Sequence, residues 1–144
     1  MIKKFNDKWF ENKDKLKEYL ETHKQEEYNS YLELLRLTLD IIVNDGGINQ
    51  YYYGEDINTK DIKEIDFGNY QGTLIFIFSN NVYQPSVEQT YYTSVGYGSC
   101  SVCDTLLSIS GYLDEELPTE KQVNDYMTLC LHLVENIHCF KEVD

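Results

Sequence analysis

Proline is scarce in this 144-residue chain, which has only two. With 42% hydrophobic and 14% aromatic residues, that composition belongs to a folded domain rather than a disordered one. Long apolar runs are also missing. None approaches the ~20 residues of a membrane span, so no membrane partner is expected. Residues 1–7, Met-Ile-Lys-Lys-Phe-Asn-Asp, carry charges with no apolar run behind them. They do not read as a signal peptide, and the expected location is the cytoplasm, where cysteines stay reduced. There is no internal repeat, no low-complexity linker and no phosphate-cradling loop: Gly96-Tyr97-Gly98 lacks a third glycine and any following Lys-Ser/Thr. No assembled active site is evident, so a non-enzyme is the expectation.

Basic residues are the other shortage. Twelve face 25 acidic ones, for a net charge of −13. Residues 1–24 hold seven lysines and five acids; residues 25–144 hold five basic and twenty acidic residues. Such a body repels phosphates, which disfavours direct nucleic-acid binding and anionic membranes. Its acidity serves either solubility or a surface for a basic partner, such as a nucleic-acid-binding host protein.

The length fits a single domain, residues 1–144, with residues 1–24 as a charged, peripheral helix. A chain this size buries roughly 68% of its unfolded surface and needs neither disulfide nor metal to fold. Phe5, Trp9, Leu16 and Leu20, with Tyr19 beside them, stripe a helix over 3–22. Glu11/Lys15 and Asp14/Glu18 are favourable and unfavourable four-residue pairs, so packing must hold it. A second helix is expected over 25–43, stopped by Asn44-Asp45-Gly46-Gly47. Strands are expected at 48–53, 62–67, 73–78 and 90–97. The charged second strand suits a sheet edge. The third, apolar on both faces, should be central and most buried. A short helix over 102–110 follows a capping box at Ser101 and Asp104, and Gly111 ends it. The last helix runs from Glu120 to about Cys139, opened by Thr119 and Gln122. The fold class is α+β: a small antiparallel sheet of three to four strands flanked by two N-terminal and two C-terminal helices. Strand–helix alternation is absent, which excludes a doubly wound parallel sheet.

The most distinctive segment is Tyr97-Gly98-Ser99-Cys100-Ser101-Val102-Cys103-Asp104. Its glycines permit a tight strand-to-helix corner, and Cys100 and Cys103 stand three apart at the expected helix mouth, where a thiolate is stabilised. Three chemistries use such a pair. Zinc would take Cys100 and Cys103 plus two of Cys130, His132, His138 and Cys139, but a helix reaching Cys139 holds these apart. Thioredoxin-type redox chemistry lacks its strand–helix setting. A cysteine nucleophile would need His23, His132 or His138 alongside. The plain alternative is that both cysteines pack a tight corner. No cofactor is therefore expected, with zinc at Cys100 and Cys103 as the exception to test.

Thirteen tyrosines are the other outlier, clustered at Tyr51, Tyr52, Tyr53 and at Tyr91, Tyr92, Tyr97. Neighbours on a strand face opposite ways, so some reach the surface. Tyrosine is enriched at interface cores, which makes these six, with Glu55 and Asp56, the candidate binding set. An aromatic core with hydroxyls reaching water explains them equally well. Glu55/Asp56 and Asp114/Glu115/Glu116 read as solvated loop charges rather than catalytic pairs.

The stretch from Tyr97 to Leu107 resembles a Tyr-Gly-Ser-Cys-Ser-x-Cys-Asp motif of small phage and prophage proteins of Gram-positive bacteria. Residues 117–129 resemble the region that follows it there, so the likeness covers about 90–138. It carries over no catalytic residue. It implies a phage accessory protein that binds and blocks a host factor. The alternative is a zinc or thiol module centred on Cys100 and Cys103. The oligomeric state is open.

Overall fold

The structure is a computed structural model describing residues 2–44, 56–69, 71–99, 104–111 and 116–141. Helix α1 (Lys3–Thr22) buries Phe5, Trp9, Leu16 and Leu20, the four residues of the sequence stripe. No side chain caps its start. It is held by packing against α2 (Tyr31–Ile42) and α4 (Glu120–Glu135).

The helix expected over 25–43 is broken. Gln25–Tyr28 form a 3-10 turn, and α2 starts afresh with Ser30 as its cap, Oγ accepting from the Glu33 amide at 3.1 Å. Long-range bonds make the break. The Gln25 side chain accepts from Tyr126 Oη at 2.8 Å, and the Tyr28 hydroxyl closes the end of α1 by donating to Leu20 and His23 carbonyls. Continuous helix would pull both side chains out of the core.

Four antiparallel strands follow in the order β1 (Lys63–Gly68), β2 (Gly72–Ser79), β3 (Thr90–Tyr97), β4 (His138–Cys139). The expected strands at 62–67, 73–78 and 90–97 are the first three; the one expected at 48–53 lies outside the described residues. Phe76 pairs with Thr93 and Phe78 with Tyr91, so these four share one face. That face meets the helices: Phe5 is edge-on to Tyr91 at 5.1 Å, and the Thr93 hydroxyl donates to the Leu133 carbonyl at 2.8 Å. β2 is interior, as expected, but it is buried on that face alone. Ile75 and Ile77, on the other face, are half-exposed. β1 is an exposed edge along its whole length.

α4 opens as expected, with the reciprocal Thr119 and Gln122 bonds of a capping box, which contribute about 1 kcal/mol. It ends at Glu135, short of the expected Cys139. Ile137 is fully buried, and the chain then pairs with β3, Tyr91 opposite Cys139 and Tyr92 opposite His138. The open backbone edge of β3 outcompetes another helical turn. The short helix α3 (Thr105–Ser110) starts three residues later than expected, because Asp104, extended at φ −118°, is its cap. Among the described residues no helix is long and apolar enough to cross a membrane.

Three buried groups tie this core to pH. Burial pushes the Cys130 thiol up to about 12. The Tyr31 phenol also rises to about 12, chiefly by burial, and Tyr28 shifts upward for the same reason. Each keeps its proton in the fold, whereas the unfolded chain releases it near the ordinary 9.0 for thiol and 10.0 for phenol. Their contribution is complete below about pH 9 and declines as pH rises toward 12. Urea midpoints should therefore fall steadily from about pH 9 to about pH 11, and Cys130→Ala should flatten the first part of that fall. A midpoint independent of pH over this range would contradict the assignment.

Candidate functional site

The corner between β3 and α3 is organised by one carboxylate. Asp104 is buried, and its Oδ1 accepts from the Tyr31 hydroxyl at 2.9 Å and from the Leu107 amide at 3.0 Å. Its Oδ2 accepts from the Gly98 amide at 3.0 Å. The Tyr31 oxygen in turn accepts from the Leu106 amide at 3.1 Å. Both ends of the 98–104 segment are thus fastened to one side chain, and α2 is fastened to α3. Cys100, Ser101 and Cys103 lie outside the described residues. The helix-mouth argument for a stabilised thiolate meets a later helix start, whose Leu106 and Leu107 amides are already engaged.

Beside this knot lies a cleft of about 640 Å³ between the end of β3, with Val95 and Tyr97, and α4, with Leu129, His132 and Asn136. A hollow of about 400 Å³ adjoins it through shared Thr105, Leu129 and His132, and extends to Asp104, Ser108, Asp125 and Thr128. The Tyr97 hydroxyl donates to Asp66 of β1 at 2.5 Å, and that carboxylate raises the phenol above its ordinary value. Asp125 pairs with Lys121 at 2.9 Å. Among the described lining residues there is no lysine or arginine. The site offers hydroxyls, an amide, an exposed imidazole and carboxylates, an arrangement suited to holding donors and cations.

The sequence candidates separate. Tyr97, Gly98 and Asp104 come together at the cleft. Tyr91 does not belong to a binding surface: it is 2% exposed, receives a hydrogen bond from Lys4 and donates to Asn80 Oδ1 at 2.8 Å. Tyr92 points the opposite way, against His138 and Phe140. Asp56 lines a separate polar hollow of about 430 Å³ with Asp40 and Asn44. Tyr51, Tyr52, Tyr53 and Glu55 lie outside the described residues. The residues considered as the second half of a zinc set have different surroundings. Cys130 is in the core, His132 is in the cleft, His138 stacks on Tyr92, and Cys139 Sγ meets the Val87 carbonyl at 3.4 Å. Among the described residues no three His, Cys, Asp or Glu side chains are grouped to hold a metal.

Sequence reasoning passed over Asp66 and Asn136 as site residues and weighed His132 only as a zinc ligand or a partner for a cysteine, because nothing local places them at this cleft. It also passed over the role of Asp104, for which there was a signal: an aspartate directly before Thr-Leu-Leu is a helix-cap pattern. No protein-family model matches the chain, and neither a curated protein nor a solved structure is detectably similar to it.

Proposed function

We propose that this chain is a small non-enzymatic binding protein of the phage accessory type, which takes a basic element of a host protein into the cleft between β3, α3 and α4. The observation that carries this reading is a cleft lined by Asp104 and Asp125, with Asp66 hydrogen-bonded to its lining residue Tyr97 and no lysine or arginine among the described lining residues. The lone pairs of Asp104 are engaged internally, so charge recognition falls to Asp66, bonded to Tyr97, and to Asp125, which would exchange its exposed Lys121 partner for the incoming cation. The excess of acids in residues 25–144 would steer a basic partner inward from a distance. A host protein that handles nucleic acid presents such a surface, and occupying it blocks its function. The resemblance of residues 97–107 to phage proteins supports the same reading.

The test is affinity capture from host lysate with the parent chain, the Asp66→Lys/Asp125→Lys double variant, and a Glu26→Lys control on the exposed 3-10 turn. Basic proteins should be captured, with roughly tenfold weaker binding in the double variant and the same direction of change in added salt. A captured set indifferent to both salt and the double variant would sink the proposal.

A further inference from the structure

The outer face of the sheet, away from the helices, has its own chemistry. The pairing places Lys63, Ile65 and Phe67 of β1 on one face with Thr73, Ile75 and Ile77 of β2 and with Tyr92, Ser94 and Gly96 of β3. His138 of β4 joins them opposite Tyr92, and Phe140 lies 5.3 Å from the Tyr92 ring. Ile65, Phe67 and Phe140 are 38%, 61% and 45% exposed. None of the apolar residues of this face packs against the buried core. Among the described residues no acid of these strands points to it, although the chain has 25 acids. Glu64 and Asp66 of β1 both point to the opposite face.

We infer that this face seats a second copy of this chain, packed sheet against sheet. The charge pattern selects that occupant. A basic partner would find no carboxylate to pair with among the described residues of this face. Two copies with net charge −13 repel each other overall, and an acid-free face is where they can approach without placing like charges in contact. Contact through a two-fold axis makes the face self-complementary, and sheets pack face to face with apolar side chains interdigitated in about 10 Å. With Ser79 and Thr90, twelve strand residues lie on this face. At about 4.8 Å between strands and about 6.8 Å per two-residue repeat, they project about 400 Å² per copy. Side-chain relief and Phe140 carry the pair toward the ~1,200 Å² at which specific interfaces begin. The expected dimer is therefore weak, with a Kd on the order of tens of micromolar. Its interface borders the cleft at Thr73, Ser94 and Gly96 but is centred on the opposite face of the sheet from Val95 and Tyr97, and it does not rest on the proposed function.

Sedimentation equilibrium of the full chain from about 1 to about 500 μM tests the proposal. The parent should self-associate, and more strongly as sodium chloride rises, because salt screens the mutual repulsion. This dependence is opposite in sign to that expected for the cleft. Phe67→Glu and Ile75→Glu should each weaken association at least tenfold. Phe10→Glu, at an exposed position on α1, should leave it unchanged. Circular dichroism establishes that each variant is folded; Phe67 is exposed enough that its variant stands alone if Ile75→Glu does not fold. A parent that stays monomeric throughout, or a dimer indifferent to Phe67→Glu, would overturn the proposal.

Discussion

Asp104→Ala is expected to lower stability by about 4 kcal/mol, the largest single effect among the polar residues of the cleft. Losing the helix cap accounts for about 1 kcal/mol. The Tyr31 hydroxyl and Gly98 amide each then lose a partner, at about 1–3 kcal/mol apiece when buried. For a domain of this size, that lowers Tm by about 10 °C or more. Asp104→Asn should cost about half as much. Its carboxamide oxygen can still cap α3, but its NH2 group faces the Gly98 N–H, donor against donor. Tyr31→Phe removes the same bond from its other side. A double-mutant cycle should therefore give a combined loss well below the sum of the single losses. Urea melts followed by circular dichroism measure all of these. A loss under 1 kcal/mol for Asp104→Ala would mean that the carboxylate does not organise the corner.

Asn44→Ala should cost about 3 kcal/mol. This residue reads in the sequence as part of a helix stop, and α2 does end beside it. Its side chain does more. Nδ2 donates to the Ile57 carbonyl at 2.8 Å, and Oδ1 accepts from the Ile57 amide at 2.8 Å. Both Asn44 and Ile57 are buried, so truncation strands two backbone groups away from water. Asn44→Asp is the sharper probe. An ionised carboxylate can still accept from the Ile57 amide but opposes the Ile57 carbonyl. A protonated one donates to it. Because the fold favours the protonated form, the defect of Asn44→Asp should thus shrink as pH falls to about 4, the ordinary aspartate value, and level off below it, while that of Asn44→Ala should stay level throughout. Equal pH profiles for the two variants would refute this clasp.

Much of the chain was legible wherever its signal is local. The stripe Phe5, Trp9, Leu16, Leu20 belongs to a single helix, and its period marks both the helix and its buried side. The Thr119/Gln122 capping box marks the start of α4 because both partners lie within one turn. The alternation in 90–97 sets the bounds of β3, and the charges of 62–67 mark β1 as an edge. The candidate site was less legible. Tyr97, Gly98 and Asp104 were singled out, but the reasons lie elsewhere: Asp104 meets Tyr31 73 residues away, and Tyr97 meets Asp66 31 residues away. Tyr91 and Tyr92 look equivalent in sequence, yet one is core and the other surface.

The sequence by itself determined the α+β class, three of the four strands, the bounds of α1 and the start of α4, because each depends on spacing within a few residues. It also determined the acidity of residues 25–144 and the basic bias of α1. Only the tertiary structure decided the break before α2, the late start of α3 and the addition of β4. Each of these turns on a partner distant in the chain: Tyr126 for Gln25, Tyr31 for Asp104, β3 for His138 and Cys139. Tertiary packing also chose which face of β2 the helices cover. Alternation puts Phe76 and Phe78 on one side and Ile75 and Ile77 on the other, and both sides are apolar. Helix packing assigned the aromatic pair to the core and left the isoleucines, with Tyr92 and Phe67, on a face without acids among the described residues of an acidic protein.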